Sequence, residues 1–255
     1  MAAAAKAQAH CLYEAQHPPL VQEKTAEDWL QKGYQLYNNG DLPGAIAAYQ
    51  QSLALDPNYY WAWHNLGLAL ADQHNFLGAI EAYQQVINIS PDLAQTWQSM
   101  GHALYQLGRY SEAIQAGEKS LSIDPSYYAS WEVIGSALYY QRKYEEAMSA
   151  YLKCLELAPD YYLAWDYLGS TYAELNQLSG SLAAYDRCLE LAPNYATGWF
   201  NLGLLYASVG QHQEAIKRYN EALRLTNNDF PEAIDARAKS ILHAQGAALS
   251  TKNWV

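Results

Sequence analysis

The sequence predicts an all-α protein in which pairs of antiparallel helices stack as an α-solenoid. Three observations predict it. A tryptophan recurs every 34 residues along most of the chain. The apolar residues between the tryptophans follow helical spacing, and Val, Ile and Thr, which favour strands, are sparse. A fixed period of this length is typical of repeat proteins, whose units bury their apolar faces against their neighbours.

Residues 1–25 form an Ala-rich arm before the first repeat. Within this arm, residues 2–16 have a helical composition, and the segment His17-Pro18-Pro19 would end such a helix. Two roles stay open for the arm. It either covers the exposed face of the first repeat or extends from it as a flexible segment.

Six repeats follow, and they cover 204 of the 255 residues. Their bounds are 26–59, 60–93, 94–127, 128–161, 162–195 and 196–229. Each holds a tryptophan, a glycine four residues later and a small residue sixteen residues later. The tryptophans are Trp29, Trp63, Trp97, Trp131, Trp165 and Trp199. Five repeats also place a tyrosine twenty residues after the tryptophan, which would pack between the helices.

Turn residues divide each repeat into two helices. Gly40, Gly108 and Gly210 stand where a first helix would end in the left-handed conformation. A proline closes each of the first five repeats, at Pro57, Pro91, Pro125, Pro159 and Pro193. The residue after each of these prolines belongs to a type that caps helices well, so we predict that it begins the next helix. These predicted caps are Asn58, Asp92, Ser126, Asp160 and Asn194.

The C-terminal segment is predicted to close the stack. Residues 230–246 have the pattern of a capping helix, which the last repeat needs because its stacking face would otherwise be exposed. Residues 247–255 are predicted to be a flexible tail. The whole chain should therefore contain at least thirteen helices and no strand.

This pattern resembles the tetratricopeptide repeat family, whose motif is W-x2-L-G-x2-Y, then A-x3-F, then P, on a 34-residue period. The resemblance implies a right-handed superhelix with the first helix of each pair on the concave side. It implies a non-catalytic scaffold for protein–protein interaction, without naming the partner. The segment AIAAYQQSLALDPN is similar to bacterial and especially cyanobacterial members of the family, which implies a role in assembling larger complexes.

The resemblance also implies which positions of each first helix face a bound peptide. They lie two residues before and one, five, eight and nine residues after the tryptophan. In this sequence they hold five carboxylates and no Lys or Arg. Together with one position that family members use in a clamp, they give the candidate peptide-binding residues Tyr34, Tyr37, Trp61, His64, Asn65, Asp72, His102, Tyr105, Glu132, Tyr139, Asp166 and Phe200.

The clamp itself is mostly missing. Family members that hold chaperone C-terminal peptides use Lys, Asn and Arg around the peptide carboxylates. Asn65 matches the Asn of that clamp, but Leu30, Gln95 and Ser99 stand at positions of the basic residues. We therefore expect the groove to prefer a segment with Lys or Arg and apolar anchors over an acidic tail.

Trp61 is the aromatic residue in the groove that belongs to no repeat pattern. We expect it to form an aromatic wall with Tyr34, Tyr37, His64 and Tyr105. The alternative is that Trp61 only packs on the N-terminal arm or against Tyr34.

The carboxylates of the groove are expected to continue this wall as an acidic strip, formed by Asp72, Glu132 and Asp166. Asp166 and Glu174 lie eight residues apart on one predicted helix. Because paired carboxylates are common on an acidic protein, we interpret them as part of a solvated face.

The third repeat departs from the pattern at Gly117, which replaces the tyrosine of the other five repeats. A glycine within a helix costs about 1 kcal/mol relative to alanine, and the missing ring removes packing. This repeat is therefore predicted to be a weak joint unless Tyr83 or Tyr110 fills the space, with a small-molecule pocket there as the alternative.

No motif for a nucleotide, a metal, a catalytic nucleophile or another cofactor occurs, so we expect no cofactor and no enzyme activity. The formal net charge of −11 argues against a nucleic acid partner. No apolar run is long enough for membrane insertion. Three cysteines give no disulfide framework, so a cytoplasmic location is expected. Two alternatives stay open: a self-associating structural protein that forms a homo-oligomer, and the recognition subunit of an enzyme.

Overall fold

The computed structural model describes residues 24–252, with side chains as far as residue 245. Of the predicted N-terminal arm, only Lys24 and Thr25 fall within this range, so the prediction for the rest of the arm lies outside the described residues. The same holds for residues 253–255 of the predicted tail.

The described residues form thirteen α-helices and no strand, as the sequence predicts. The chain divides into two compact units at Ile89 and Ser90. The first unit contains α1 (Ala26–Asn38), α2 (Leu42–Leu55), α3 (Tyr60–Asp72) and α4 (Phe76–Ile89). The second unit contains α5 (Ala94–Gln106), α6 (Tyr110–Ile123), α7 (Tyr128–Tyr140), α8 (Tyr144–Leu157), α9 (Tyr162–Glu174), α10 (Leu178–Leu191), α11 (Ala196–Ser208), α12 (His212–Leu225) and α13 (Pro231–Lys252).

A tyrosine ring on a glycine holds the two helices of most repeats together. In the fourth repeat, Tyr151 of α8 is 1% exposed and its ring covers Gly135 of α7. A methyl group on Gly135 would lie 2.7 Å from Cε1 of Tyr151. The same pairing occurs in four other repeats, so the repeated Gly and Tyr belong to one contact.

The predicted helix caps are wrong by one residue. The residues at the N-cap positions of α3, α5, α7, α9 and α11 are Tyr59, Leu93, Tyr127, Tyr161 and Tyr195, and their side chains make no capping hydrogen bond. The preceding residue stays in the turn, where the backbone N–H groups of Asn58 and Ser126 donate to the carboxylates of Asp56 and Asp124.

The repeated tryptophans fix these turns instead. The indole N–H of Trp63 donates to the Pro57 carbonyl at 2.8 Å. Trp97, Trp165 and Trp199 make the same bond to the proline six residues earlier. The Pro–Trp spacing is therefore explained by a hydrogen bond as well as by packing.

The first helices end in left-handed residues, as predicted for Gly40, Gly108 and Gly210, whose φ angles are 79°, 73° and 78°. The other three repeats use His74, Arg142 and Asn176 at the equivalent place, with φ angles of 60°, 61° and 56°. A side chain disfavours this conformation, and asparagine tolerates it better than arginine does.

Replacing Arg142 with glycine is therefore expected to stabilise the protein by about 1 kcal/mol. Glycine removes the steric conflict of Cβ in the left-handed conformation, and Arg142 is exposed. The matched variant Asn176→Gly should gain less. Urea unfolding midpoints measure the difference, and a loss of stability in Arg142→Gly would contradict this explanation of the turn.

The space left by the missing ring in the third repeat is filled. Gly117 of α6 is buried, and a methyl group on it would lie 2.6 Å from Cγ1 of Ile134 and 3.3 Å from the Ser130 carbonyl oxygen of α7. Val133 lies in the same way over Gly101. The residues that close the gap thus come from the next repeat and not from Tyr110 or Tyr83, and Gly117 allows this closer approach.

Gly117→Ala is accordingly expected to lower the free energy of unfolding by 1 to 3 kcal/mol, although alanine favours helix by about 1 kcal/mol. The added methyl group would collide with Ile134. The double variant Gly117→Ala/Ile134→Ala should recover part of the helix gain. A stabilising Gly117→Ala, measured by urea unfolding, would show that the joint is loosely packed.

Helix α13 packs on the last repeat through Ala233 and Ser240, both buried. It begins at Pro231 and runs to Lys252, beyond the predicted end at residue 246, so the first part of the predicted tail is helical. Among residues 24–252, no helix combines the length and apolar character needed to cross a bilayer.

Candidate functional site

In the first compact unit, three aromatic candidates lie at or near the surface. Tyr34 is 52% exposed and Trp61 is 40% exposed. Tyr37 is partly buried, and its hydroxyl donates to the Asp72 carboxylate. The Trp61 ring contacts Tyr60 and His64, with ring centroids 5.0 and 6.0 Å apart.

Two other candidates of this unit do not form an open surface. His64 is 2% exposed and packs between Trp61 and Tyr83 of α4. This burial lowers the pKa of the His64 imidazole to about 4, so the ring is neutral at pH 7. Asn65 donates from Nδ2 to the Trp61 carbonyl of its own helix at 2.9 Å.

The second compact unit contains a cavity of about 250 Å³, which we call the tyrosine pocket. The six tyrosines that line it are Tyr105, Tyr139, Tyr140, Tyr151, Tyr167 and Tyr195. Asp166 and Asn201 complete its polar wall. A more open cavity of about 520 Å³, the groove, adjoins it along α9 and α11 and shares Tyr139, Ser170 and Asn201 with it.

Asp166 supplies the carboxylate that lines the pocket, and it is only 3% exposed. Its two oxygens accept hydrogen bonds from Nδ2 of Asn201 at 3.0 and 3.1 Å. Burial raises the pKa of the Asp166 carboxyl to about 6, although the hydrogen bonds from Asn201 and Tyr195 oppose this shift. The prediction that Asp166 lies on a solvated face is thus wrong, while Glu174 is exposed as predicted.

Glu132 lies one repeat before Asp166 and is partly buried. It accepts a hydrogen bond from Ser136 at 3.1 Å, and Ser136 lies 3.2 Å from the hydroxyl of buried Tyr151. Burial raises the pKa of the Glu132 carboxyl to about 7. Ion pairs among the described residues lie on exposed surfaces, and none of them includes Glu132 or Asp166.

The position one residue after each tryptophan explains why several candidates are buried. In two repeats its side chain packs against the tyrosine of the second helix in the same repeat: His64 on Tyr83, and Phe200 on Tyr219. Phe200 also contacts Phe230 before α13, at 4.9 Å between ring centroids. Of the six residues at this position, Leu30, His64 and Asp166 are buried, and Gln98, Glu132 and Phe200 are partly buried.

The positions eight and nine residues after the tryptophan behave differently, because the eighth of one repeat meets the ninth of the next. Tyr37 bonds to Asp72 in this way. Tyr105 and Tyr140 have ring centroids 5.5 Å apart. His102 lies beside Tyr105, with ring centroids 6.2 Å apart, and contacts Gln106.

Eight residues that line the tyrosine pocket were not among the twelve candidate residues: Ser136, Tyr140, Tyr151, Tyr167, Ser170, Tyr195, Thr197 and Asn201. Four of them, Ser136, Tyr140, Ser170 and Thr197, hold repeat positions that the family resemblance assigns to the peptide-facing side. A signal for Asn201 was present, because it holds the same repeat position as Asn65 and follows Asp166 by 35 residues, one more than the repeat. Tyr195 stands at the N-cap position of α11, between two repeats, and it also lines the pocket.

The charged side chains of the pocket and the groove are all acidic. The side chains of the pocket and the groove include Asp166 and Glu174 but no Lys or Arg. Tyrosine faces attract cations through the negative charge of the ring centre. The site is therefore suited to a ligand with positive charge and apolar parts. The two repeat cysteines, Cys154 and Cys188, are fully buried away from solvent as packing residues.

Comparison with protein families gives matches over most of the chain. A model described as TPR repeat matches residues 33–74 and 169–210. Two models described as tetratricopeptide repeat match residues 58–126, and residues 128–161 and 196–236. No curated protein matches the chain.

Solved structures with the same fold have low sequence identity. The APC/C hetero-tetramer Cut9–Hcn1 matches with a TM-score of 0.77 at 19% identity, over 86% of this chain and 44% of that one. PilW, a type IV pilus biogenesis factor, matches with a TM-score of 0.72 at 20% identity, over 78% and 92%. YrrB, described as a TPR protein with an unusual peptide-binding site, matches with a TM-score of 0.54 at 18% identity, over 75% and 98%.

These matches agree with the helix pairs, the Gly–Tyr contacts and the 34-residue period described above. The chain spans less than half the length of the Cut9 chain that it matches. The all-α solenoid class predicted from the sequence is confirmed. The protein belongs to the tetratricopeptide repeat family of protein-interaction scaffolds.

Proposed function

We propose that the protein is a non-catalytic adaptor that holds a segment of another protein against the concave side of its second compact unit. The bound segment carries Lys or Arg together with apolar or aromatic anchors. The observation that carries this proposal is the tyrosine pocket with its buried carboxylate and the adjoining groove, which contain no basic side chain. Charge complementarity and aromatic burial favour such a segment.

The structural relatives support a role in assembly. Cut9 was crystallised with a partner protein, PilW is a biogenesis factor and YrrB has a peptide-binding site. We extend these roles to the present chain as a proposal: an assembly factor that works by holding a partner and without catalysis. The buried thiols of Cys154 and Cys188 suit a reducing, cytoplasmic setting.

Affinity purification from lysate of the source cells tests this proposal when it is done with matched variants. Tyr140→Ala changes a 57% exposed residue of the pocket, and Leu152→Ala changes a 38% exposed residue of the second helix α8. We expect a partner that Tyr140→Ala loses and Leu152→Ala retains. A partner retained equally by both variants would place the interaction elsewhere.

Trp61→Ala tests whether the partner also contacts a second, separate surface, formed by the aromatic residues around Trp61 in the first unit. Because Trp61 is 40% exposed, we expect its loss to change the melting temperature by no more than a few degrees. A central aromatic anchor typically contributes about 2 kcal/mol or more, so affinity for the captured partner should fall at least about ten-fold. The control is Leu55→Ala, at a 56% exposed position of α2. Lost stability with unchanged affinity would make Trp61 a packing residue.

Self-association is a second candidate, and helix α13 favours it. Ile234, Ile241 and Leu242 are 42%, 37% and 67% exposed. Their spacing of seven and eight residues places them on one face of the helix. Light scattering over a range of concentrations should show an oligomer that Leu242→Glu dissociates; a monomer at every concentration would remove this candidate.

A further inference from the structure

We infer that the tyrosine pocket is a binding site for a guanidinium group, the side chain of an arginine in the bound segment, with Asp166 as its counter-ion. The inference rests on the proposed function, which does not distinguish arginine from lysine and does not say where a basic side chain would lie. Three features of the pocket indicate which cation binds and where it lies: its volume, the tyrosines that line it, and the burial of Asp166 without a cationic partner.

The size of the pocket fits a single side chain. Sites for small-molecule ligands usually have volumes of about 300 to 1,000 Å³, and the tyrosine pocket has about 250 Å³. It opens beside the larger groove, with which it shares Tyr139, Ser170 and Asn201. A backbone in the groove can therefore send one long side chain into the pocket.

The carboxylate of Asp166 is buried without a cationic partner. Its exposure is 3%, and it accepts hydrogen bonds from the neutral side chains of Asn201 and Tyr195. A carboxylate has about four acceptor positions, so capacity remains for a further donor. A buried charge without a counter-ion is unfavourable, and a ligand cation would relieve this penalty.

The tyrosines distinguish guanidinium from ammonium. Six tyrosines line the pocket. Among them, Tyr105 and Tyr139 each meet Tyr140 edge to face, with ring centroids 5.5 and 5.7 Å apart. A planar guanidinium can stack on a tyrosine ring while its N–H groups reach a carboxylate. It is also more weakly hydrated than an ammonium group, so it enters a site with little water more easily.

Small cations test the site without any peptide. The full chain labelled with ¹⁵N is titrated at pH 7.5 with ethylguanidinium, butylammonium or neutral N-ethylurea, and the side-chain amide of Asn201 and nearby backbone amides are followed by NMR. We expect saturable shifts with ethylguanidinium, at least five-fold weaker binding of butylammonium and no saturable shift with N-ethylurea. No saturable shift with ethylguanidinium, or equal binding of butylammonium, would overturn the inference.

Two variants with the same change of charge provide the control. Asp166→Asn should weaken ethylguanidinium binding at least ten-fold, because it removes the counter-ion. Asp186→Asn removes an exposed carboxylate from α10 and should leave binding unchanged. Equal effects of the two variants would mean that the cation responds only to the net charge of the protein, which overturns the inference. Melting curves confirm that each variant is folded.

Blocked peptides separate this inference from the proposed function. The probes are Ala-Leu-Arg-Tyr-Ala and the same peptide with Gln in place of Arg. We expect the Arg peptide to bind at least ten-fold more tightly, and Asp166→Asn to remove this preference. Binding of both peptides without preference would uphold the groove and overturn the guanidinium site. Saturable ethylguanidinium binding without any peptide binding would support the site and count against the peptide groove.

Discussion

Replacing Asp166 with asparagine is expected to stabilise the protein at pH 8, by on the order of 2 to 3 kcal/mol. The carboxyl is buried, and burial raises its pKa in the folded state from the ordinary 3.8 to about 6. The folded protein therefore binds this proton more tightly than the unfolded chain does. The stabilisation is fully present below about pH 4 and is lost as the pH rises through about 6.

Asparagine keeps an oxygen that accepts from Asn201 but carries no charge, so the part of this slope that Asp166 contributes between about pH 4 and 6 should be absent from the variant. The other titratable groups that face Asp166 are neutral over this range, since their pKa values are all raised by burial. They are Tyr139, Tyr167, Tyr185, Cys188 and Tyr195. Burial raises the pKa of Glu132 to about 7, so Glu132 titrates over an overlapping range in both proteins. The difference in slope between the natural protein and the variant is therefore assigned to Asp166.

Unfolding by urea, followed by circular dichroism at pH 5 and pH 8, measures the effect. Glu132→Gln should show the same gain at a higher pH, because burial raises the pKa of Glu132 to about 7. Asp186→Asn, at an exposed position, is the control and should change stability little at either pH. An Asp166→Asn variant that is no more stable than the natural protein at pH 8 would show that the carboxylate is well compensated and not held for a ligand cation.

Replacing Tyr151 with alanine is expected to lower the free energy of unfolding by about 3 to 5 kcal/mol. Tyr151 is 1% exposed and packs with Ile134, Leu138 and Leu155 in the core of the fourth repeat. Its ring also covers Gly135, so alanine would leave a cavity between α7 and α8.

Two further variants separate the contribution of the buried Tyr151 ring from that of its hydroxyl and from the effect of losing an exposed ring. Tyr151→Phe keeps the ring and loses only the contact of the hydroxyl with Ser136, so the loss should be about 1 kcal/mol. Tyr140→Ala, at a 57% exposed position, should lose less than about 1 kcal/mol. If Tyr151→Ala and Tyr140→Ala had similar effects on urea unfolding, the tyrosine–glycine contact would not be the main link between the helices of the repeat.

The repeat period predicted the helices well because each unit presents the same apolar positions to its neighbours. Trp63, Gly67 and Tyr83 recur in almost every repeat, so their packing could be recognised from spacing alone. The helix starts were less predictable. Asn58 is a good capping residue by type, but its backbone N–H is bound by Asp56, and the helix begins after Tyr59.

The candidate site was less predictable than the fold. The position of a residue in the repeat predicts which way its side chain points, but it does not predict which residues of the neighbouring repeat that side chain meets. His64 and Asp166 share one position on the first helix, and both are buried against other residues of the stack. The pairs Tyr37–Asp72, Tyr105–Tyr140 and Asp166–Asn201 each join adjacent repeats with a separation of 35 residues. The separation of 35 residues is visible in the sequence, but only the structure shows which of these pairs line a pocket.

The central claim is that the tyrosine pocket and the groove of the second unit hold a basic, partly apolar segment of a partner. Photo-crosslinking tests it most directly, with benzoylphenylalanine placed at Tyr140 or, as the control, at Leu152. Both sites are exposed, but only Tyr140 lines the pocket. We predict a crosslinked partner peptide at position 140 and none at 152, with Arg or Lys within a few residues of the attachment. Equal crosslinking at both positions, or an acidic segment without Arg or Lys at position 140, would contradict the claim.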